Sequence, residues 1–155
     1  TWSPDARYLC GALQEGDLFC WQPADDSETL LAAETEAYAH YCWSADSHWL
    51  AATSRTEIFL WRSGANGIAP QPEAVLPLPD GARTTALAWH PALPVLAAGA
   101  DDGTTWLLSW GDTPVRRIAG GRAVEMLCWD RAGETLGVVH AGGGAVLHRP
   151  APAGP

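Results

Sequence analysis

No stretch of 18 consecutive apolar residues occurs in this 155-residue chain, so no helix is expected to cross a membrane. The first residues hold no basic-then-apolar segment, and no secretory leader is expected there. Basic residues are scarce, nine against 18 acidic, giving a formal charge of −9 and a pI near 4.8. A surface that acidic repels phosphate backbones, which argues against nucleic-acid partners unless the few arginines gather on one face. Helical periodicity is missing as well. The 16 glycines and 12 prolines interrupt the chain so often that no window sustains an i, i+3, i+4 pattern for three turns, and no segment is expected to be α-helical. Cysteine is limited to Cys10, Cys20, Cys42 and Cys128, none in a ligand-like spacing. Buried free thiols in a reducing, cytoplasmic setting are the simplest expectation, although a hairpin turning at Gln14-Glu15-Gly16 would set Cys10 opposite Cys20 and allow a cross-strand disulfide. Apolar residues are not lacking: at 47% they rule out disorder and can build the core of one domain.

The stretch from Thr84 to Trp110 shows how that apolar content is arranged. A short apolar run ends at Trp89 and meets His90-Pro91-Ala92-Leu93-Pro94, where two prolines forbid both helix and central strand. A second run, Val95 to Gly99, leads to Asp101-Asp102-Gly103, residues that tolerate the left-handed backbone of a tight reversal. A third, Thr104 to Trp110, is rich in Thr, Trp and Leu, which suit a pleated surface. The unit reads strand, turn, strand, tight turn, strand.

That unit recurs. Trp2, Trp43, Trp89 and Trp129 close successive first strands at spacings of 41, 46 and 40 residues. After them come matching turns, Ser3-Pro4-Asp5, Ser44-Ala45-Asp46, His90-Pro91-Ala92 and Asp130-Arg131-Ala132, and then Leu9, Leu50, Leu96 and Leu136 at one position of the second strand. A period near forty made of short strands marks an array of small sheets. Four repeats follow, at about 1–33, 37–78, 84–118 and 124–149, with a tail at 150–155 too proline-rich to pair in a ladder.

The expected strands are Tyr8 to Leu13, Asp17 to Trp21 and Thr29 to Ala33 in the first repeat, with Trp2 as the stub of its inner strand. The second has Ala37 to Trp43, Trp49 to Thr53, Glu57 to Trp61 and Ala74 to Leu78, with a glycine-free turn at Arg55-Thr56. Its Gly/Pro/Ala-rich linker from Ser63 to Glu73 accounts for the longest spacing and is expected to be a loop. The third closes with an outer strand near Pro114 to Ile118. The fourth has Val124 to Trp129, Thr135 to His140 and Ala145 to Arg149, turning at Ala141 to Gly144.

In that order the residues resemble the WD-repeat family: Trp2-Ser3-Pro4-Asp5, Tyr8-Leu9-Cys10-Gly11, Glu15-Gly16 and Phe19-Cys20-Trp21 follow its consensus, as do Leu96-Ala97-Ala98-Gly99, Asp102-Gly103 and Trp110, the last displaced by two residues. The resemblance covers nearly the whole chain. It implies an all-β fold, a WD40-type β-propeller with about four blades' worth of four-stranded antiparallel sheets, forming part of a larger ring that a further segment or a second chain completes. The repeats are degenerate. The Gly-His pair is replaced by Gly81-Ala82 and Gly120-Gly121, and His148 stands at a tryptophan position, so blade cohesion must come mainly from apolar packing. The resemblance further implies a non-enzymatic scaffold for protein partners within a multi-subunit assembly. In such a ring the loops from outer to next inner strand, and from second to third strand, share one face. Arg55, Arg83, Asp101 and Arg122 are the charged residues of those loops and the expected partner contacts. An acidic module of this kind suits basic or mixed-charge partners.

Other constellations carry less. His40 and Cys42, two apart on a strand, share a face, with His48 nearby as a third candidate ligand, but no second Cys/His pair offers the remaining ligands, and no metal or cofactor is expected. Asp101-Asp102-Gly103 is explained by turn chemistry rather than by a cation, and Ala141 to Gly144 lacks the helix and Lys-Ser/Thr of a phosphate cradle. No nucleophile and base pair up in sequence, so no catalytic residue is assigned. Trp49 and Trp106 lie off the repeat register, either in the core or exposed as partner-binding aromatics. The rival to a scaffold is a propeller with a ligand, metal or catalytic site at its channel mouth, built on His40 and Glu125, the two polar exceptions on otherwise apolar inner strands.

Overall fold

The computed structural model describes residues 1–32, 36–78, 81–109, 116–118 and 120–149. It is all-β, with several antiparallel sheets of three to five strands and no α-helix among the described residues. Two compact units divide the chain, residues 1–84 and 85–155.

The first unit holds two sheets. In the first sheet, β1 (Leu9–Ala12), β2 (Leu18–Gln22) and β3 (Ser27–Leu31) pair in sequence order, with Trp2 bridging Leu9 as the stub of a further strand. In the second, β4 (His40–Trp43), β5 (Trp49–Thr53) and β6 (Glu57–Gly64) pair in order, and β8 (Ala74–Pro77) adds to β6. The linker beyond Ser63 is not wholly loop, which corrects the sequence expectation. β6 runs on to Gly64 and folds back through β7 (Gly67–Ile68), with Ser63 opposite Ile68 and Gly64 opposite Gly67. Ala65-Asn66 make the tight turn, and Gly67, at φ +96°, opens β7 directly after it. The second unit also has two sheets. β9 (Thr84–Trp89), β10 (Val95–Ala100), β11 (Thr105–Ser109) and β12 (Arg116–Ile118) make one; β13 (Val124–Trp129), β14 (Leu136–His140) and β15 (Gly144–His148) make the other. A bulge between Val124 and Met126 interrupts the pairing of β13. Of the expected four-stranded sheets, only the third has four strands in simple order; the first and last have three. Trp110, Pro114 and the 150–155 tail lie outside the described residues.

Alternation explains why these runs pair as they do. Along β2, Leu18 and Cys20 are buried while Phe19 and Trp21 are only partly covered; along β14, Leu136 and Val138 are buried and their neighbours less so. The first and last sheets therefore pack one face inward, while β5, β10 and β11, with consecutive residues buried, are covered on both faces. In the first unit the core joins Cys10, Leu18, Cys20 and Leu31 of the first sheet to Trp43, Leu50, Ala52 and Trp61 of the second. In the second it joins Ala86, Ala97 and Leu107 to Val124, Leu127, Leu136 and Val138. Each fully buried leucine contributes roughly 2 kcal/mol through apolar burial.

The cysteines depart from the free-thiol expectation. Cys10 and Cys20, opposite each other on β1 and β2 with Cα atoms 4.2 Å apart, are joined by a disulfide. Cys42 and Cys128 remain thiols, and Cys128 is exposed rather than buried. Burial pushes the Cys42 thiol up to about 12, so it is inert as a nucleophile at neutral pH. The inference from free thiols to a reducing compartment therefore has no footing in the bonded pair.

The sheets are joined by equivalent contacts in both units. The turn after each repeat tryptophan is closed by one backbone bond five residues long: Ser3 N to Tyr8 O, Ser44 N to Trp49 O, His90 N to Val95 O and Asp130 N to Thr135 O. The side chain opening each turn then accepts from the turn's own backbone. Ser3 and Ser44 take the N–H of Tyr8 and Trp49, His90 Nδ1 takes those of Ala92 and Leu93, and Asp130 takes that of Thr135. Successive turns are tied together as well. Asp5 N donates to Ser47 Oγ at 3.0 Å in the first unit, and His90 Nε2 donates to Gly133 O at 3.0 Å in the second.

Candidate functional site

A recess of about 400 Å³ opens in the first unit where three loops meet. The segment Glu36 to Ala39 leads into β4, the turn Ser54-Arg55-Thr56 joins β5 to β6, and Arg83-Thr84 leads into β9. Backbone hydrogen bonds fix all three. Ala39 N donates to Thr53 O at 2.8 Å, Ser54 N to Glu57 O at 3.1 Å, Leu78 N to Thr56 O at 2.8 Å, and Thr84 N to Arg55 O at 3.1 Å. The recess thus stands on backbone ladders rather than on flexible side chains, and its charged groups are carried on a rigid frame.

Its charged lining groups are weighted toward positive charge. Arg55 and Arg83 both line it, against the single carboxylate of Glu36 among the lining residues. Arg55 Nη1 lies 4.0 Å from Glu36 Oε1, and with both side chains well exposed that pair is held loosely. Burial lowers the pKa of the neighbouring His40, and the charge of Arg83 lowers it further. Ser54 adds a polar wall, and Thr84, only 2% exposed, has a hydroxyl with no hydrogen-bond partner among the described residues. Two guanidiniums with forked donors suit a carboxylate, and the unsatisfied Thr84 hydroxyl is one more polar group beside them.

Of the four loop residues expected to contact partners, Arg55 and Arg83 come together here. Asp101 and Arg122 belong to the second unit, both exposed, in the turn between β10 and β11 and in the lead into β13. Their loops touch: a Cβ on Gly103 would lie 2.7 Å from Arg122 N. His140 Nδ1 anchors that lead by donating to Arg122 O at 2.8 Å. Glu36, Ser54 and Thr84 were missed. Glu36 sits in the same outer-to-inner loop class as Arg83 and Arg122, and that position was the signal that marks it.

His48 pairs with Asp46 at 3.1 Å in its own turn, while His40 belongs to the first unit and Glu125 to the second. Among the described residues, no three His, Cys, Asp or Glu side chains gather as metal ligands would. Asp102 caps the β10–β11 turn, accepting from Thr104 N at 2.8 Å. Trp106 is buried with Arg117 5.4 Å above its ring, and Trp49 is half-buried with Arg62 at 5.8 Å.

Comparison with protein-family models and with curated proteins finds no match. Among the described residues no helix is long and apolar enough to cross a membrane. The chain is all-β, built of several antiparallel sheets, with a loop-built, arginine-bearing recess in its first unit.

Proposed function

We propose that this chain is a non-enzymatic, WD-repeat-like β-propeller segment that holds protein partners on the loops at one end of its sheets. The observation that carries the reading is the meeting of Arg55 and Arg83, from two separate loops, in one recess. The repeated turn bonds after Trp2, Trp43, Trp89 and Trp129 support the array of equivalent sheets on which such loops would be presented. Short loops on a rigid frame give a preorganised surface at low entropic cost. With a net charge of −9 the chain favours basic or mixed-charge partners, and the recess takes a carboxylate side chain of a mixed-charge one.

The test is an array of immobilised mixed-charge peptides, each beside a copy with Asp and Glu replaced by Asn and Gln. The wild type is expected to retain the carboxylate forms preferentially, and the double variant Arg55→Glu, Arg83→Glu to lose at least about tenfold in retention, as expected when charged pairs are reversed at an interface. Equal retention by both proteins would remove the recess from the function.

A further inference from the structure

The first and last sheets each leave one apolar face uncovered, and the two faces are of opposite kinds. On the first sheet, register places Leu9 beside Trp21, and Gly11 beside Phe19 and then Leu30, all on the face turned away from Cys10 and Cys20. Trp2 extends this face, its ring 6.5 Å from Trp21. Trp2 is 49% exposed and Leu30 50%. On the last sheet, Met126, Val139 and Ala145 form one cross-strand row and Cys128, Gly137 and Leu147 the next, on the face opposite Leu136 and Val138. Met126 is 57% exposed and Leu147 74%. Contiguous exposed apolar side chains of this kind mark an interaction site.

What covers such faces is already present inside each unit. In the first, the face bearing Trp43, Leu50, Ala52 and Trp61 packs on Cys10, Leu18, Cys20 and Leu31. In the second, the face bearing Leu127, Leu136 and Val138 packs on Ala97 and Leu107. Counting from the repeat tryptophan, Leu9 corresponds to Leu50 and Leu136, and Trp21 to Trp61 through the equivalent pairings Leu9–Trp21 and Leu50–Trp61. Gly137 and Leu147 correspond in the same way to Cys10 and Cys20, and to Ala97 and Leu107. The bare face of the first sheet is therefore the docking kind, and the bare face of the last is the receiving kind.

We propose that a second copy of this chain is the occupant: the Trp2, Leu9, Trp21 and Leu30 face of one copy packs on the Met126, Val139 and Leu147 face of the next. The contact is heterologous, head to tail, and repeats between chains the sheet-on-sheet packing found within each unit. Arrays of stacked sheets whose ends carry no polar cap extend until the ends are covered.

Two charge insertions at exposed positions test this by light scattering coupled to size exclusion. Leu30→Arg disables the docking face and Leu147→Arg the receiving face. The wild type is expected to run above the 16.5 kDa of one chain with a mass that rises with concentration, and each variant alone at 16.5 kDa. Mixed in equal amounts, the two variants restore one intact pair of faces and are expected to form a one-to-one dimer that goes no further. Near-UV circular dichroism matching the wild type shows that each variant is folded; should Leu147→Arg unfold, Met126→Arg on the same face replaces it. A wild type that stays at one chain's mass at high micromolar concentration overturns the proposal. So does a mixture that remains monomeric, or a single variant that still self-associates as the wild type does.

Discussion

Ala6, Ser47 and Gly133 each stand four residues past a repeat tryptophan, and all three have positive φ, +59°, +61° and +74°. The equivalent Leu93 precedes Pro94, which favours extended backbone there, and its turn is held instead by the His90 ring. A left-handed alanine costs about 1–2 kcal/mol that glycine does not, while glycine loses roughly 0.5–1 kcal/mol more chain entropy on folding. Ala6→Gly is thus expected to stabilise the chain by about 0.5 kcal/mol, read as a higher urea midpoint at unchanged slope; a lower midpoint would show that this turn relaxes at no cost. In the same turn Asp5 carries a pH dependence. Burial pushes its pKa up, but bonds from Ser3 Oγ and from the Arg7 side chain and N–H outweigh that and bring it from 3.8 to about 2. A carboxylate with a depressed folded pKa contributes stability above its unfolded pKa and loses it as pH falls through the folded one. Asp46 is lowered likewise by Ser44 and His48, against its own desolvation. Between pH 3.8 and about 2 the wild type is expected to lose stability more steeply than Asp5→Asn, and parallel urea midpoints for the two proteins across that window would contradict it.

At the scale of elements, the second turn of one sheet is pressed against the lead strand of the next. Gly16, at φ +96°, would place a Cβ 2.6 Å from Ala37 Cα, and its carbonyl accepts from Tyr38 N at 2.9 Å. Gly103, at φ +85°, meets Arg122 backbone in the same manner. Gly103→Ala is expected to cost roughly 3 kcal/mol, combining a left-handed non-glycine residue with a clash that only backbone movement relieves. Gly121→Ala, with nothing within 4 Å of its Cβ, serves as the near-neutral control, and equal thermal midpoints for the two variants would show that the turn is not packed as described. Such turns were legible in the sequence because Asp-Gly and Glu-Gly bracket apolar runs, and the strands Trp49–Thr53, Thr84–Trp89 and Val124–Trp129 follow to the residue. The β6–β7 hairpin was not read, since neighbouring prolines and alanines masked the Asn-Gly signal at Asn66 and Gly67, where the Ala65-Asn66 turn meets β7. The Cys10–Cys20 bond stayed open because spacing gives opposition on a hairpin but not the choice between thiols and disulfide. In the recess, Arg55 and Arg83 were reachable through their loop class, and Glu36, in the same class as Arg83, could have been found the same way. That the three share one cleft was not legible, because a charged residue in a polar loop has the same sequence pattern whether it faces a cleft or open solvent.

Over the whole molecule, stability is divided between separate apolar clusters. Leu50, fully buried, sits among Cys10, Leu18, Leu31 and Trp61 in the first unit, and Leu136, equally buried at the same repeat position, sits among Ala97, Leu107 and Val138 in the second. Leu50→Ala and Leu136→Ala are each expected to cost about 3 kcal/mol, the transfer of the lost methyls plus the cavity they leave. In an array stabilised by its repeats and their nearest neighbours, that loss is felt first by the sheets lining the cavity. Hydrogen exchange read by mass spectrometry is therefore expected to show Leu50→Ala losing protection chiefly in β1–β6, with β10–β15 much less affected, and Leu136→Ala doing the reverse. Equal loss along the chain in both variants would mean that the clusters unfold as one cooperative body, and would place the decisive packing outside the two clusters named here.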